Sequence, residues 1–182
     1  MKKLLFIAAV LLLYASTAMA QAPKFGVGVF GGINIPVVQD DQKSGTAFGL
    51  KARIKLLPII IAEPNVTFGK WGDPDPVDGL DLGISGSKIT SFGIDFTLGG
   101  LPGKAGFKPF AFVGVASYKV KNDDTNYENS KLGVAGGLGF AIGVSPLIDI
   151  EVRGKAVVAP QDDGSKKAIW ILGGINYYFG GY

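Results

Sequence analysis

Residues 132–144 read LGVAGGLGFAIGV, and this stretch decides the fold class. Its bulky apolar side chains occupy one set of alternate positions: Leu132, Val134, Leu138, Phe140, Ile142 and Val144. The other set holds only glycine and alanine. Successive side chains of a β-strand point to opposite faces, so a period of two predicts a strand with one apolar face and one face of very small residues.

The same period of two recurs along the chain and predicts eight strands. Four are clear and four are weaker: residues 25–37, 48–56, 132–144 and 148–158, and then 59–70, 88–98, 108–120 and 167–179. In 108–120 and 167–179 both faces are apolar, so the sequence leaves their register open. Pro64 cannot donate to a ladder, and we expect a bulge or break near Glu63–Pro64.

The N-terminal 20 residues have the pattern of a secretory signal peptide. Two lysines precede the apolar run LLFIAAVLLLY, which is followed by AMA at 18–20. The sequence therefore predicts export through the Sec pathway, cleavage after residue 20, and one barrel domain over residues 21–182. No later apolar run reaches the roughly 20 residues of a transmembrane helix.

Composition excludes several kinds of chemistry. The chain has no cysteine, which rules out disulfides and thiolate metal sites, and no histidine, which removes the usual general base. The formal net charge of +3, two units of it in the signal peptide, is too small to indicate a nucleic-acid partner. No catalytic or cofactor motif stands out, so we expect neither an enzyme nor a bound cofactor.

Charged residues lie in the middle of several predicted strands, on the less apolar face: Lys51, Arg53, Lys55, Glu63, Asp95, Asp149, Glu151, Arg153 and Lys155. Two architectures can accommodate them. A soluble barrel of the lipocalin kind turns them to water, whereas a transmembrane barrel turns them into its lumen and its apolar face to lipid. The glycine face favours the second, because an eight-stranded lumen is barely wide enough for side chains and long charged ones need small neighbours.

The preferred prediction is an all-β fold, an eight-stranded antiparallel up-and-down transmembrane β-barrel. Strands of this length suit the 9–11 residues that cross a bilayer at a tilt. Polar connections after strands 1, 3, 5 and 7 predict longer loops at one rim than at the other. The charges are expected to form an interior ion-pair network that largely fills the lumen, and a narrow solute channel is the alternative.

Aromatic residues near the strand ends predict two interfacial belts. Phe25, Phe96, Phe107, Phe110, Tyr177 and Phe179 are expected at the short-turn rim. The belt on the loop side is expected to contain Phe48, Phe68, Trp71, Tyr118 and Trp170.

Several stretches resemble the small outer-membrane β-barrel family of the OmpA/OmpX kind, which is porin-like in fold. They are FGVGVFGGINIP, LGVAGGLGFAIGV followed by DIEVRGKA, and the final GINYYF. The resemblance implies a monomer in the outer membrane of a Gram-negative envelope, with periplasmic termini and extracellular loops. It implies outer-membrane lipid and lipopolysaccharide as surroundings. Enzymes of this kind depend on histidine, which this chain lacks.

In that family the C-terminal strand carries the signal read by the barrel assembly machinery, a glycine followed by spaced aromatics. Gly174, Tyr177 and Phe179 match that pattern. The family usually ends on the phenylalanine, whereas this chain continues with Gly180-Gly181-Tyr182.

The segment DPDPVDGLD is a weak candidate for a metal site. It places Asp73, Asp75, Asp78 and Asp81 in the longest loop, and carboxylate oxygens at such spacing can hold Ca²⁺. The EF-hand pattern with its terminal glutamate is missing, so a solvated acidic loop is the preferred interpretation.

Three functions remain open at this point. The first is a structural or surface-interaction protein of the envelope, the second a narrow channel for small solutes, and the third a soluble periplasmic barrel that binds an apolar ligand.

Overall fold

The computed structural model describes residues 25–37, 43–73, 85–100, 105–122, 124, 127–161 and 164–179. The predicted signal peptide and the final three residues lie outside this part of the chain. The described residues form eight strands: β1 (Phe25–Pro36), β2 (Gly45–Leu57), β3 (Ile60–Lys70), β4 (Lys88–Gly99), β5 (Gly106–Asn122), β6 (Tyr127–Ser145), β7 (Ile148–Gln161) and β8 (Gly164–Phe179). In this part of the chain no helix is long and apolar enough to cross a membrane.

The strands close into an antiparallel barrel in the order of the sequence, so the predicted fold class is confirmed. The first and last strands form the closing seam, which runs in one register from Phe25 opposite Phe179 to Pro36 opposite Ala168. Gly32 allows the two strands to approach closely here, because a Cβ at this position would overlap the Ile171 carbonyl oxygen.

Strands β5 and β6 are longer than their sequence pattern predicts, with 17 and 19 residues. The ladder continues through polar residues up to Asn122 opposite Tyr127. Likewise β7 and β8 pair up to Gln161 opposite Gly164. The expectation of long loops after strands 5 and 7 is therefore wrong, since these polar residues extend two hairpins. The connections over 37–44 and 71–87 are the longer ones at this rim.

Pro64 affects one side of its strand only. The ladder between β3 and β4 passes Pro64 without a shift. On the other side, the paired residues of β3 stop at Asn65 and resume at Ala62 in the same register. The ladder to β2 is thus interrupted beside Glu63–Pro64, as a residue without an N–H group requires. This interruption is the break expected near Glu63–Pro64, and the register shift of the same ladder lies elsewhere, at Lys55/Leu57.

The outer wall of the barrel is apolar, and buried polar and charged side chains lie inside it. Leu132 and Leu138 on its outer wall are 74% and 71% exposed, whereas Asn34, Asp149 and Asn176 inside are fully buried. A soluble barrel has the reverse arrangement, because it must hide its apolar face from water. The soluble lipocalin-like alternative is therefore wrong.

Candidate functional site

The turn-side half of the interior contains a cluster of charged residues, called the charged layer below. Eight of the nine predicted lumen residues belong to it, and each is at most 5% exposed: Lys51, Arg53, Glu63, Asp95, Asp149, Glu151, Arg153 and Lys155. The ninth, Lys55, is half-buried at the turn-side end of β2. The alternation of each strand turns these side chains inward, so residues far apart in sequence meet in the lumen.

Arg153 lies at the centre of the charged layer. Its guanidinium donates to Glu63 Oε2 at 2.8 Å across the barrel and to Glu151 Oε1 at 2.9 Å along its own strand. A third carboxylate, that of Asp95, lies 3.8 Å away. A planar group with five donors is suited to joining several carboxylates in this way.

Further ion pairs surround this centre. They are Lys51 with Glu151 at 2.6 Å, Arg53 with Glu63 at 2.7 Å, and Lys155 with Asp95 at 2.8 Å. Every one of these six side chains is buried. Glu63, Glu151 and Asp95 each also lie beside Arg153, so the pairs form one connected network. Such pairing is what makes buried charges tolerable.

Asp149 anchors the end of the layer nearest the turns. It accepts from Lys108 Nζ at 2.6 Å and from the Tyr178 hydroxyl at 2.8 Å, and Arg53 donates to that same hydroxyl. The sequence-based prediction misses Lys108 and Tyr178. Both lie in the two segments whose register was ambiguous, and only the position of Tyr178 two residues after Asn176 hints at an inward face.

The glycine face of β6 accommodates aromatic rings. A Cβ at Gly139 would lie 2.5 Å from Phe110 Cζ, and one at Gly137 would lie 2.9 Å from Phe112 Cζ. The Arg153 guanidinium lies over both rings, 5.3 Å from the centroid of Phe110 and 5.1 Å from that of Phe112. The glycines therefore leave space directly for the two rings. They support the ion pairs only indirectly, through the contact between those rings and Arg153.

The loop-side half of the interior is filled by a second cluster, the apolar layer. Its members are Ala47, Trp71, Ile89, Ala116, Tyr118, Val120, Ala135, Val157, Ala159, Ala168, Trp170 and Leu172, with Phe30 packed against them. Among the described residues, no hydrogen-bond partner faces the indole N–H of Trp71 or Trp170 or the Tyr118 hydroxyl. The layer is thus held by packing.

The prediction of a loop-side interfacial belt is wrong for three of its five aromatic residues. Trp71, Tyr118 and Trp170 are each only 1% exposed. Tyr118 and Trp170 have the inward parity of their strands, and Trp71, which directly follows β3, continues the inward parity of that strand. Phe48 and Phe68 face outward, with their ring centroids 5.6 Å apart. At the other rim the expected interfacial Phe110 also lies inside the barrel.

The C-terminal residues named by the resemblance lie at the closing seam. Tyr177 and Phe179 are exposed on the outer wall, in edge-to-face contact at 5.0 Å, and Phe179 stacks on Phe25. Gly174 is half-buried on the inward face of β8.

The candidate metal loop falls largely outside the described residues, which include Asp73 but not Asp75, Asp78 or Asp81. Asp73 is exposed, accepts from the Gly86 N–H at 2.9 Å and lies 3.9 Å from Lys70. The described part of the chain contains no group of three or more metal-ligating side chains.

A closed antiparallel barrel with an apolar outer wall and charged residues inside has the architecture of the integral outer-membrane β-barrels. The chain belongs to the family described as outer membrane protein beta-barrel domain, whose model matches residues 6–178.

Solved structures show the same fold. Neisserial surface protein A is 11% identical with a TM-score of 0.68, over 86% of this chain and 97% of its own. Ail of Yersinia pestis is 15% identical with a TM-score of 0.53, over 87% and 99%. The N-terminal β-barrel domain of OprF of Pseudomonas aeruginosa is 13% identical with a TM-score of 0.51, over 84% and 97%. No curated protein matches the sequence.

Proposed function

We propose that this chain is a structural or surface-interaction protein of the outer membrane, whose lumen is closed by its own side chains. The proposal includes export by the N-terminal signal, periplasmic termini and turns, and extracellular hairpins. Polar extension of the β5–β6 and β7–β8 hairpins at one rim supports that orientation, because it lifts two hairpins beyond the apolar wall. No catalytic activity is part of the proposal.

The observation that carries the proposal is the ion pair between Arg153 and Glu63, which reaches across the lumen at 2.8 Å. An eight-stranded barrel has an interior just wide enough for side chains. A path for solute through the charged layer would therefore require several of its buried pairs to separate. Behind it, the apolar layer fills the same cross-section with Trp71 and Trp170.

The outward aromatics at the seam support a role in biogenesis. Tyr177 and Phe179 lie on the last strand, with their rings on the lipid side. We propose that the barrel assembly machinery reads these two side chains before the seam closes, while β8 is still a free edge.

Single-channel recording in planar bilayers tests the closed lumen. The refolded chain is expected to insert without stable conductance. Heat-modifiable gel mobility and membrane fractionation of the same preparation serve as controls for folding and location. A steady open conductance in correctly folded protein would favour the narrow channel instead, and recovery in the soluble fraction would contradict the membrane assignment.

A further inference from the structure

The chain bends over the turn-side mouth of the lumen at the point where β4 ends. Gly100, which directly follows β4, is buried, and its N–H donates to the Pro109 carbonyl oxygen at 3.2 Å. The Gly99 N–H donates to the Ile59 carbonyl oxygen, in the turn between β2 and β3, at 3.1 Å. These two bonds tie the end of β4 to neighbouring parts of the rim. Gly99 and Gly100 are called the turn-side cap below.

Both arginines of the charged layer are connected to the cap. Arg53, which pairs with Glu63, also donates from Nη2 to the Gly100 carbonyl oxygen at 3.3 Å. On the other side, a Cβ at Gly100 would lie only 3.0 Å from the Phe110 ring. The Arg153 guanidinium lies over the same ring, 5.3 Å from its centroid. The cap therefore contacts the layer by a hydrogen bond to one arginine and by packing on the ring beside the other.

The backbone of the cap depends on glycine. The φ angles are +90° at Gly99 and +60° at Gly100, which residues with a side chain adopt only at an energetic cost. A side chain at Gly100 would also meet the Phe110 ring. Two successive glycines thus bring a bare carbonyl group to Arg53, whereas a larger residue would push the chain away from the mouth.

We propose that the turn-side cap closes this mouth of the lumen and controls the access of water and small solutes to the charged layer. With the cap in place, the Gly100 carbonyl occupies one donor of Arg53 and covers Phe110. When the cap is displaced, that donor turns to water, so the Arg53 guanidinium is the first part of the layer to be hydrated. The inference rests on the proposed closed lumen and deepens it by assigning closure at the turn side to two backbone positions.

Thiol labelling measures this access, because the chain has no cysteine of its own. Thr97→Cys places one thiol on the inward face of β4, two residues before the cap, at a position that is fully buried. The chain is refolded in detergent micelles, which leave both mouths of the barrel in water, and is treated with a small cationic methanethiosulfonate. The labelling rate follows the population of the open cap when the cap opens and closes faster than the reagent reacts. We expect slow labelling with Gly100 in place.

Gly100→Ala in the Thr97→Cys chain should open the cap. The added methyl group meets Phe110 and requires left-handed backbone, so we expect the labelling rate to rise about tenfold. Gly106→Ala is the matched control. Gly106, at the start of β5, also has a positive φ of +114°, but a Cβ there meets nothing within 4 Å. This control should leave the rate unchanged.

Two further variants separate the cap from general loosening of the barrel. Ala116→Cys places the thiol in the apolar layer, and Gly100→Ala should not raise its labelling rate. Arg53→Lys keeps the charge beside Glu63 but shortens the reach to the Gly100 carbonyl, so it should raise labelling of Thr97→Cys even if Gly100→Ala does not fold. Heat-modifiable gel mobility establishes folding of every variant.

Several results would overturn the inference. Equal labelling of Thr97→Cys with and without the cap substitutions, or fast labelling of this thiol alone with Gly100 in place, would show that the cap does not close the mouth. A parallel rise at Ala116→Cys or with Gly106→Ala would show general loosening instead. Fast labelling of both thiols with Gly100 in place would contradict the closed lumen of the proposed function, so the two failures can be told apart.

Discussion

The two halves of the barrel interior solve the same packing problem with different chemistry. Both occupy the inward positions of the same strands, yet the charged layer consists of paired ions and the apolar layer of aromatic and aliphatic groups. An inward-facing position in this barrel therefore does not by itself determine whether its side chain is charged or apolar. What both halves share is that little of either is exposed.

The two layers should respond differently to the loss of one side chain. Removal of an ion leaves its partners buried and uncompensated, which costs more than the pair contributed. Removal of an apolar side chain leaves a cavity whose cost depends on volume and on how far the neighbours relax. Unfolding experiments in detergent or lipid vesicles can therefore separate the two designs.

Arg153→Met should have the largest effect, because it leaves Glu63 and Glu151 buried without their shared cation. We expect the free energy of unfolding to fall by about 3–5 kcal/mol. Urea titration in vesicles, followed by tryptophan fluorescence and gel mobility, measures the change. Lys119→Met removes an exposed pair and should cost at most about 1 kcal/mol. Equal losses for the two variants would show that the charged layer is not the stabilising unit.

Trp170→Ala should have the next largest effect, about 3 kcal/mol, through the cavity that it leaves in the apolar layer. Trp170→Phe refills part of that volume and should recover a large part of the loss, which distinguishes a packing defect from a lost polar contact. Gel mobility and urea midpoints of both variants give the answer. Identical midpoints for the alanine and phenylalanine variants would contradict packing as the origin.

A double-mutant cycle on Lys51 and Glu151 tests whether the charged layer acts as a connected unit. The losses from the two single replacements, Lys51→Met and Glu151→Gln, should add up to more than the loss from the double replacement. We expect a coupling free energy of about 2 kcal/mol from the four unfolding curves. Additive effects of the two substitutions would mean that the pair at 2.6 Å contributes no net coupling.

Gly137→Ala tests the space that the β6 glycines leave inside the barrel. The added methyl group would overlap the Gly154 backbone carbonyl oxygen on the neighbouring strand and press on Phe112, and we expect a loss of about 1–2 kcal/mol from overpacking. Gly173→Ala is the matched control, because the nearest atom to a Cβ there is 3.9 Å away and the position is exposed. A loss of equal size for both substitutions, measured by urea titration, would indicate a general effect of glycine replacement.

The outward and inward faces of β2 and β7 could be predicted from sequence, and the reason is charge. In a membrane barrel, a lysine or arginine in mid-strand, such as Lys51 or Arg153, must face the lumen. The alternation of side chains then assigns every other residue of that strand to the lumen or to the lipid. The same logic predicted the buried carboxylates. The alternation could not predict which charged residues form ion pairs with each other. That pairing depends on the register between strands and on side-chain rotamers, which no local sequence pattern encodes.

Aromatic residues carry no such signal. Tyr118 and Trp170 suit both an interfacial belt and a packed interior, and they lie in segments that are apolar on both faces. They are buried because they belong to the apolar layer, which packs large side chains inside the barrel where the charged layer ends. The polar ends of β5 and β6 were not predicted for a related reason. Residues 121–131 lie beyond the apolar wall and lack the alternation of apolar and polar residues that indicates a strand.

The sequence separations within the charged layer bear on how the barrel assembles. Lys51 and Glu151 are 100 residues apart, and Arg53 and Tyr178 are 125 apart. Such contacts form only after early and late strands meet, so they contribute nothing to a half-assembled sheet. Before that, only local partners are present, Glu63 for Arg53 on the neighbouring strand and Arg153 for Glu151 on its own strand. A partly closed intermediate therefore lacks the long-range pairs, which disfavours it. Assembly should consequently proceed as one cooperative step from an open sheet to the sealed barrel, with slow unfolding as its counterpart.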